Sequence, residues 1–254
     1  MLEEIIHNQF NVDVYNKYSP YLVAVDCIIF GFMDGELKLL IINRKFEPAK
    51  GKWSLMGGFV GPDESMDEAA YRVLYELTGL QDLKMVQLYT HGDVDRDPGA
   101  RVISTSYYTL IKMQDIDQAH SAENGARWCP ISELPELIFD HMKMVEMALN
   151  SLRNEAHHKP IGFELLPEKF TLPQLQSLYE SIYQEQLDKR NFRKQILDTG
   201  LLIKLDEKDK DSSKKGAFYY RFDHKKYQKL VGEGFLFQLK GKKEPLIRNL
   251  QEPL

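Results

Sequence analysis

The chain has 254 residues, of which 43% are hydrophobic and 28% are charged, and it contains two cysteines. This composition supplies enough apolar material for a core and excludes collagen-like, low-complexity and disulfide-rich proteins. The longest apolar run, residues 21–32, is interrupted by Asp26 and is too short to span a bilayer. With no secretory signal in view, we expect a cytoplasmic protein with no membrane partner and with reduced cysteines.

Charge is distributed unevenly along the chain, which suggests two domains. Residues 1–150 contain 13 Lys and Arg against 23 Asp and Glu, a net charge of −10. Residues 151–254 contain 20 against 15, a net charge of +5. A basic second half is typical of a domain that faces a polyanion such as nucleic acid. Lysines that only solvate a surface give the same balance, so charge alone leaves both interpretations open.

The first half mixes strand-like and helical patterns. Five runs rich in β-branched and apolar residues are predicted to be strands: 23–32, 37–42, 86–89, 102–112 and 126–130. The pair Asp34-Gly35 between the first two runs predicts a hairpin turn. Apolar residues from Met66 to Leu77 follow the i, i+3, i+4 spacing of a helix, and Gly79 ends it. A further helix is predicted to extend as far as Arg153.

The pattern lapses between residues 154 and 167, where a connector is expected. We therefore divide the chain into a first domain, residues 1–155, and a second domain, residues 156–254. The tail after Val231 has no clear pattern and is not placed.

The second domain has the pattern of a winged helix-turn-helix. Thr171 and Gln174 form a capping-box pair that begins one helix. Asp188 is a good N-cap for a second helix, which Gly200 ends. Two strand-like runs joined by a basic loop follow: 201–205 and 218–222. Two helices followed by a β-hairpin with a basic tip are typical of a winged DNA-binding domain.

A spaced motif runs into the first predicted helix and consists of Gly58, Glu64, Arg72, Glu76 and Gly79. It resembles the Nudix box, in which a glycine is followed six positions later by a glutamate, and then by Arg-Glu-aliphatic-x-Glu-Glu-x-Gly. The resemblance covers about residues 20–150 and implies an α/β fold, the Nudix α/β/α sandwich. Glu64 and Arg72 are expected to form an ion pair that braces the loop.

The chain departs from the Nudix box at the positions that hold the metal. In the family, three glutamates on one helix face bind Mg²⁺, which requires hard oxygen ligands. Here Val73, Glu76 and Leu77 occupy those positions, so one carboxylate remains. We therefore expect a binding pocket with no catalytic residue, no metal and no cofactor, rather than an enzyme. The alternative is a Nudix hydrolase that acts on ADP-ribose-type nucleoside diphosphates.

Polar and aromatic residues predicted on loops around this pocket are candidate contacts to a small-molecule effector. They are Arg44, Trp53, Asp95, Arg96, Asp97, Arg101 and Tyr107. The segment 95–101 mixes hydrogen-bond donors and acceptors, which suits a hydroxyl-rich or anionic small molecule. The alternative is that these arginines and aspartates pair with one another on a solvated surface.

The second predicted helix of the winged domain is basic on one side. Four cations occupy an arc of about 140° on a helical wheel, and Phe192 and Ile196 share the adjoining face. The candidate contacts to double-stranded operator DNA are Lys189, Arg190, Asn191, Arg193 and Lys194 on the helix, with Lys208, Lys210, Lys214, Lys215 and Arg221 on the wing. Arginine and asparagine are suited to base edges, and lysine mostly meets phosphate.

Three segments of the second domain resemble the Nudix-related transcriptional regulators: 170–180, 187–194 and 219–222. The segment Leu187-Asp188-Lys189-Arg190-Asn191-Phe192-Arg193-Lys194 is the most specific of them. The family includes NrtR-type repressors of NAD metabolism and AraR-type pentose regulators. It implies a homodimer that binds an inverted-repeat operator and an effector in the Nudix-like domain, ADP-ribose in one group and L-arabinose in the other.

Segments of the first domain look closer to the arabinose group: 27–32, 53–60 and 95–99. The sequence therefore favours a ligand-responsive repressor whose effector is a pentose such as L-arabinose, with an ADP-ribose-like effector as the other option.

Overall fold

The fold is given by a computed structural model, which describes residues 12–81, 83–113, 125–210 and 216–239. Within these residues, no helix is both long enough and apolar enough to cross a lipid bilayer. Short 3₁₀ helices lie at Val12–Lys17, Ile131–Glu133 and Phe163–Leu165.

A mixed sheet forms the centre of the first half. Its seven strands in the described residues are β1 (Leu22–Met33), β2 (Glu36–Asn43), β3 (Trp53–Ser54), β4 (Met56–Phe59), β5 (Val86–His91), β6 (Val102–Ile111) and β7 (Ala126–Pro130). The order is β3-β2-β1-β6-β5, while β4 pairs with β1 and β7 with β2. Only the β1–β6 pairing of this sheet is parallel. Asp34 and Gly35, both at positive φ, make the predicted hairpin turn.

Two helices cover opposite faces of this sheet: α1 (Met66–Thr78) and α2 (His141–His158). Alternate residues of β1 point to opposite faces, so Cys27 packs in the cluster with α1 and Ile28 in the cluster with α2. The predicted α/β/α sandwich is therefore confirmed. The N-cap of α1 is Ser65, which forms a capping box, and its C-cap is Gly79, which lies at φ 72°.

The second half is a winged helix-turn-helix domain, as predicted. Its elements are β8 (Phe170–Thr171), α3 (Leu172–Tyr183), α4 (Lys189–Asp198), β9 (Leu202–Asp209), β10 (Ala217–Phe222) and α5 (His224–Gly232). The strands form an antiparallel sheet in the order β8-β10-β9. The predicted caps are present, because the Thr171 hydroxyl accepts from the Gln174 amide and the Asp188 carboxylate accepts from the Asn191 amide.

The junction differs from the sequence prediction at the end of α2, and the structure also places part of the tail. The helix α2 continues to His158, so the expected lapse from residue 154 is wrong, and the proposed division after residue 155 falls inside this helix. The helix continues because Leu152 and Ala156 are fully buried. Both pack in the apolar cluster that also contains core residues of the winged domain. The tail also folds back: the side chain of Phe237 is 2% exposed in the same cluster.

Candidate effector site and DNA-binding surface

The Nudix-like loop before α1 is braced by an ion pair between Arg72 and Glu64. Arg72 Nη2 lies 2.6 Å from Glu64 Oε1, and Arg72 Nε donates to Glu64 Oε2 at 2.9 Å. The same guanidinium donates to the Phe59 carbonyl, and the Gly61 amide donates to Glu64 at 2.7 Å. The hydrogen bonds from Arg72 lower the pKa of Glu64 to about 2. The expected ion pair is present, and it fixes the loop rather than presenting a free carboxylate.

The residues at the Nudix metal positions do not fit a magnesium ion. Val73 is 2% exposed, and a Cβ on Gly58 would lie 2.9 Å from its Cγ2, so the isopropyl group fills the space beside the glycine. Leu77 packs on the same apolar cluster. The remaining carboxylate, Glu76, lies 3.5 Å from the Arg72 guanidinium. In the part of the chain that the structure describes, no three His, Cys, Asp or Glu side chains are grouped to hold a metal ion.

A buried polar cluster lies on the opposite face of the sheet, under the start of α2. Its members are Asp26, Ser54, His91, Arg96, Ser104, Ser106, Asp140 and His141. The Arg96 guanidinium donates to both carboxylate oxygens of Asp140, at 3.0 and 2.8 Å, and its Nη2 lies 3.5 Å from Asp26. The Ser104 hydroxyl donates to Asp26 at 2.6 Å. An internal cation therefore lies between two carboxylates.

Two histidines complete the polar cluster, and burial favours the neutral form of both. The Leu55 amide donates to His141 Nδ1 at 3.1 Å, which assigns the ring proton to Nε2, 3.6 Å from Asp26. His91 Nε2 lies 3.1 Å from the Ser106 hydroxyl. Burial lowers the pKa of both rings below the usual 6.5, and the nearby carboxylates oppose this shift only in part.

Two loops lie beside the polar cluster, and we call the surface between them the mouth: residues 44–52, between β2 and β3, and residues 92–101, between β5 and β6. They lie side by side, because a Cβ on Gly99 would be 3.5 Å from Pro48 Cγ. The Arg44 guanidinium lies 4.4 Å from the ring centre of Phe46 and 5.9 Å from that of Phe139. The Phe139 ring in turn contacts the His141 ring, at 5.7 Å between centres.

Of the other predicted effector residues, three lie on the second loop and Trp53 begins β3. Asp95 is exposed on the second loop, and Asp97 accepts a hydrogen bond from Gly99 on the same loop. Arg101 donates to the Asp93 carbonyl, and the Trp53 ring is covered by the guanidinium of Arg127 at 4.0 Å.

Tyr107 lies elsewhere, on the face of the sheet that α1 covers. It is 2% exposed, and its hydroxyl donates to Asp67 at 2.6 Å.

Asp140 and His141, two members of the polar cluster, were not predicted from the sequence. The one available signal was Asp26, a single charge inside an apolar strand.

The helix α4 presents the predicted DNA-contacting residues to solvent. All five are exposed: Lys189, Arg190, Asn191, Arg193 and Lys194. Phe192 and Ile196, at 6% and 1% exposure, anchor the other side of the helix in the core. The cations therefore project from a fixed helix.

The wing adds cations that are held in place. Lys204 Nζ and Lys208 Nζ lie 3.7 and 4.5 Å from the ring centre of Phe218, and Arg221 on the neighbouring strand is exposed. Lys210 is also exposed. The predicted contacts Lys214 and Lys215 lie outside the described residues.

Family models match both halves of the chain. The NUDIX domain model matches residues 20–147, and the model of the NrtR DNA-binding winged helix domain matches residues 162–222. The chain belongs to the NrtR-type Nudix-related transcriptional regulators. Its DNA-binding domain is thus the winged helix.

Relatives support this assignment over nearly the whole chain. The "ADPR responsive transcriptional repressor NtrR" of Acinetobacter baylyi is 31% identical over 211 residues, which are 82% of this regulator and 84% of that protein. The crystal structure of Shewanella oneidensis NrtR complexed with a 27mer DNA superposes with a TM-score of 0.69 at 28% identity, covering 86% of this chain and 99% of that one. These relatives do not support the expected closeness to the AraR-type pentose regulators.

The Nudix half alone is similar to an enzyme. The ADP-ribose pyrophosphatase of Methanocaldococcus jannaschii is 35% identical over 133 residues, which are 51% of this chain and 76% of that protein.

Proposed function

We propose that this regulator is a transcriptional repressor whose DNA binding is controlled by ADP-ribose. The observation that carries the proposal is the 31% identity, over 82% of the chain, to a repressor named for its response to ADPR. The relative of the Nudix half alone is named for the same molecule as a substrate. A Nudix-like half that has lost two of the three family carboxylates is expected to bind ADP-ribose without cleaving it.

The groups at the mouth suit the chemistry of ADP-ribose. This molecule consists of a diphosphate between adenosine and a second ribose. A guanidinium is a strong partner for phosphate oxygens, and Arg44 carries one beside the polar cluster. The rings of Phe46 and Phe139 offer aromatic faces for adenine. The carboxylate of Asp97, on the facing loop, can accept hydrogen bonds from ribose hydroxyls.

Hydrolysis of ADP-ribose is the second candidate, because the Nudix half is 35% identical to a pyrophosphatase. The aliphatic side chains of Val73 and Leu77 argue against it, since two of the three family carboxylates are missing. Glu76 is engaged with Arg72, which further weakens any magnesium site there.

The operator is proposed to bind α4, as the recognition helix, and the wing. A homodimer on an inverted repeat follows from the family resemblance and stays a prediction, as does a cytoplasmic location.

Calorimetric titration of the full chain tests the effector. We expect saturable binding of ADP-ribose and none of L-arabinose. The variant Arg44→Ala is expected to bind ADP-ribose roughly 10-fold to 100-fold more weakly, the loss of a hydrogen bond to a charged group. The exposed Lys50, on the same loop, supplies the matched control Lys50→Ala, which should bind like the parent. Saturable binding of L-arabinose without binding of ADP-ribose would contradict the proposal.

A further inference from the structure

We propose that α2 and a row of four aromatic side chains position the recognition helix according to the state of the effector site. The row consists of His157, Tyr183, Tyr179 and Phe192. The inference rests on the proposed function and deepens it, because it names the contacts through which an effector in the Nudix-like half would change DNA affinity.

One end of α2 is part of the polar cluster. Its N-cap, Asp140, holds the Arg96 guanidinium, and its first residue, His141, lies between the Leu55 amide and Asp26. Any ligand that moves Arg96 or the adjoining Phe139 therefore acts directly on the start of this helix. The helix has 18 residues, so it carries a displacement over about 27 Å.

The other end of α2 is fastened to the winged domain. Arg153 donates to the Ile182 carbonyl at the end of α3, at 3.1 Å. His157 Nδ1 lies 3.0 Å from the Leu239 carbonyl, and the Leu239 amide donates to the His157 carbonyl at 3.3 Å. The tail therefore holds the last turn of α2 against the DNA-binding half.

The aromatic row continues from this last turn to the recognition helix. The His157 ring is stacked on the Tyr183 ring, with 4.8 Å between centres and 27° between planes. Tyr183 contacts Tyr179 at 5.9 Å, and Tyr179 contacts Phe192 at 5.7 Å. Phe192 is the buried anchor of α4, next in sequence to Arg193. Packed rings transmit displacement because close-packed interiors leave little space to absorb it.

The rings of the row are held by packing rather than by hydrogen bonds. The hydroxyls of Tyr179 and Tyr183 are buried and have no hydrogen-bond partner within the described residues. The ring contacts, and not these hydroxyls, therefore connect α2 to α4. The hydroxyls of Ser177 and Ser181 on α3 both donate to the Gly35 carbonyl, which gives the winged domain a fixed point on the Nudix half.

The test compares two substitutions at one position. Tyr183→Leu removes the ring that stacks on His157, whereas Tyr183→Phe keeps the ring and removes only the hydroxyl. Fluorescence anisotropy would measure the Kd for a labelled 27mer duplex, selected by the parent protein from a random pool, with and without saturating ADP-ribose. Calorimetry would measure the Kd for ADP-ribose itself.

We expect the parent to show a roughly 5-fold to 150-fold effect of ADP-ribose on the DNA Kd. Tyr183→Leu should reduce that ratio at least about threefold while both separate affinities stay close to the parent values. Tyr183→Phe should keep the ratio. A residue with a merely structural role would lower the melting temperature or one affinity and leave the ratio unchanged.

A second variant keeps the test valid if Tyr183→Leu does not fold. His157→Ala removes the first ring of the row, and His158→Ala is its control, because His158 is exposed on the same turn. If ADP-ribose releases DNA from the parent and equally from Tyr183→Leu and His157→Ala, this inference is overturned and the proposed function stands. If ADP-ribose fails to bind the parent, the proposed function is overturned and the inference falls with it.

Discussion

Arg96 and Asp140 form a two-point ion pair inside the Nudix-like half, with hydrogen bonds of 3.0 and 2.8 Å. The Arg96 side chain is 4% exposed, and that of Asp140 is 15% exposed. The pair ties loop 92–101 to the start of α2. Since a buried guanidinium requires its carboxylate partners, this contact fixes both the mouth and the helix that leads to the DNA-binding domain.

Removing the carboxylate of this pair should destabilise the fold strongly. Asp140→Asn leaves the buried guanidinium with Asp26 at 3.5 Å as its remaining carboxylate, and we expect a loss of about 3–5 kcal/mol in the free energy of unfolding. Urea denaturation measures the loss. The control is Asp93→Asn, because Asp93 pairs with Lys143 on the surface and should contribute less than about 1 kcal/mol. Equal losses in the two variants would show that the buried pair has no special role.

The Glu64–Arg72 ion pair predicts a pH dependence of stability. The pKa of Glu64 is about 2 in the folded chain, below its ordinary value of 4.5. A depressed folded pKa stabilises the fold above the unfolded pKa, and this contribution is lost as the pH falls from about 4.5 to about 2. We expect the parent to be more stable than Glu64→Gln at pH 7, with the difference shrinking across that acid range. A difference that stays constant from pH 7 to pH 2 would contradict the assignment.

The recognition helix can be tested without disturbing the core. Arg190 and Arg193 are exposed on α4, so Arg190→Ala and Arg193→Ala should unfold like the parent. Each should weaken operator binding by about 1–3 kcal/mol if its guanidinium contacts a base edge. The exposed Lys84, on the Nudix half, gives the control Lys84→Ala, which should bind DNA normally. Parent-like affinity in both arginine variants would mean that α4 is not the recognition helix.

The wing lysines should act through phosphate rather than bases. Lys204 and Lys208 flank the ring of Phe218, which holds their ammonium groups at the edge of the wing. Lys204→Ala and Lys208→Ala are each expected to reduce the slope of log K against log salt by about 1, similarly for all DNA sequences. A binding loss that depends on the DNA sequence, with an unchanged slope, would assign these lysines to base contacts.

Local elements could be predicted from the sequence because their signals are local. The apolar spacing from Met66 with Gly79 at the end gave α1, and Asp188 gave the start of α4. The polar cluster could not be predicted, because Asp26 and Asp140 are far apart in the chain and only packing of the sheet against α2 brings them together. Likewise, the burial of Phe237 depends on a cluster formed by both halves.

The central claim is that a Nudix-like half that has lost two of the three metal-binding carboxylates senses ADP-ribose and controls a winged helix. The most direct measurement is the Kd of the full chain for its selected 27mer duplex, titrated with ADP-ribose in the presence of Mg²⁺, with the nucleotide recovered afterwards by chromatography. We expect the DNA Kd to rise at least about fivefold while the ADP-ribose is recovered intact. Unchanged DNA affinity together with conversion of ADP-ribose to its cleavage products would contradict the claim and identify the chain as a hydrolase.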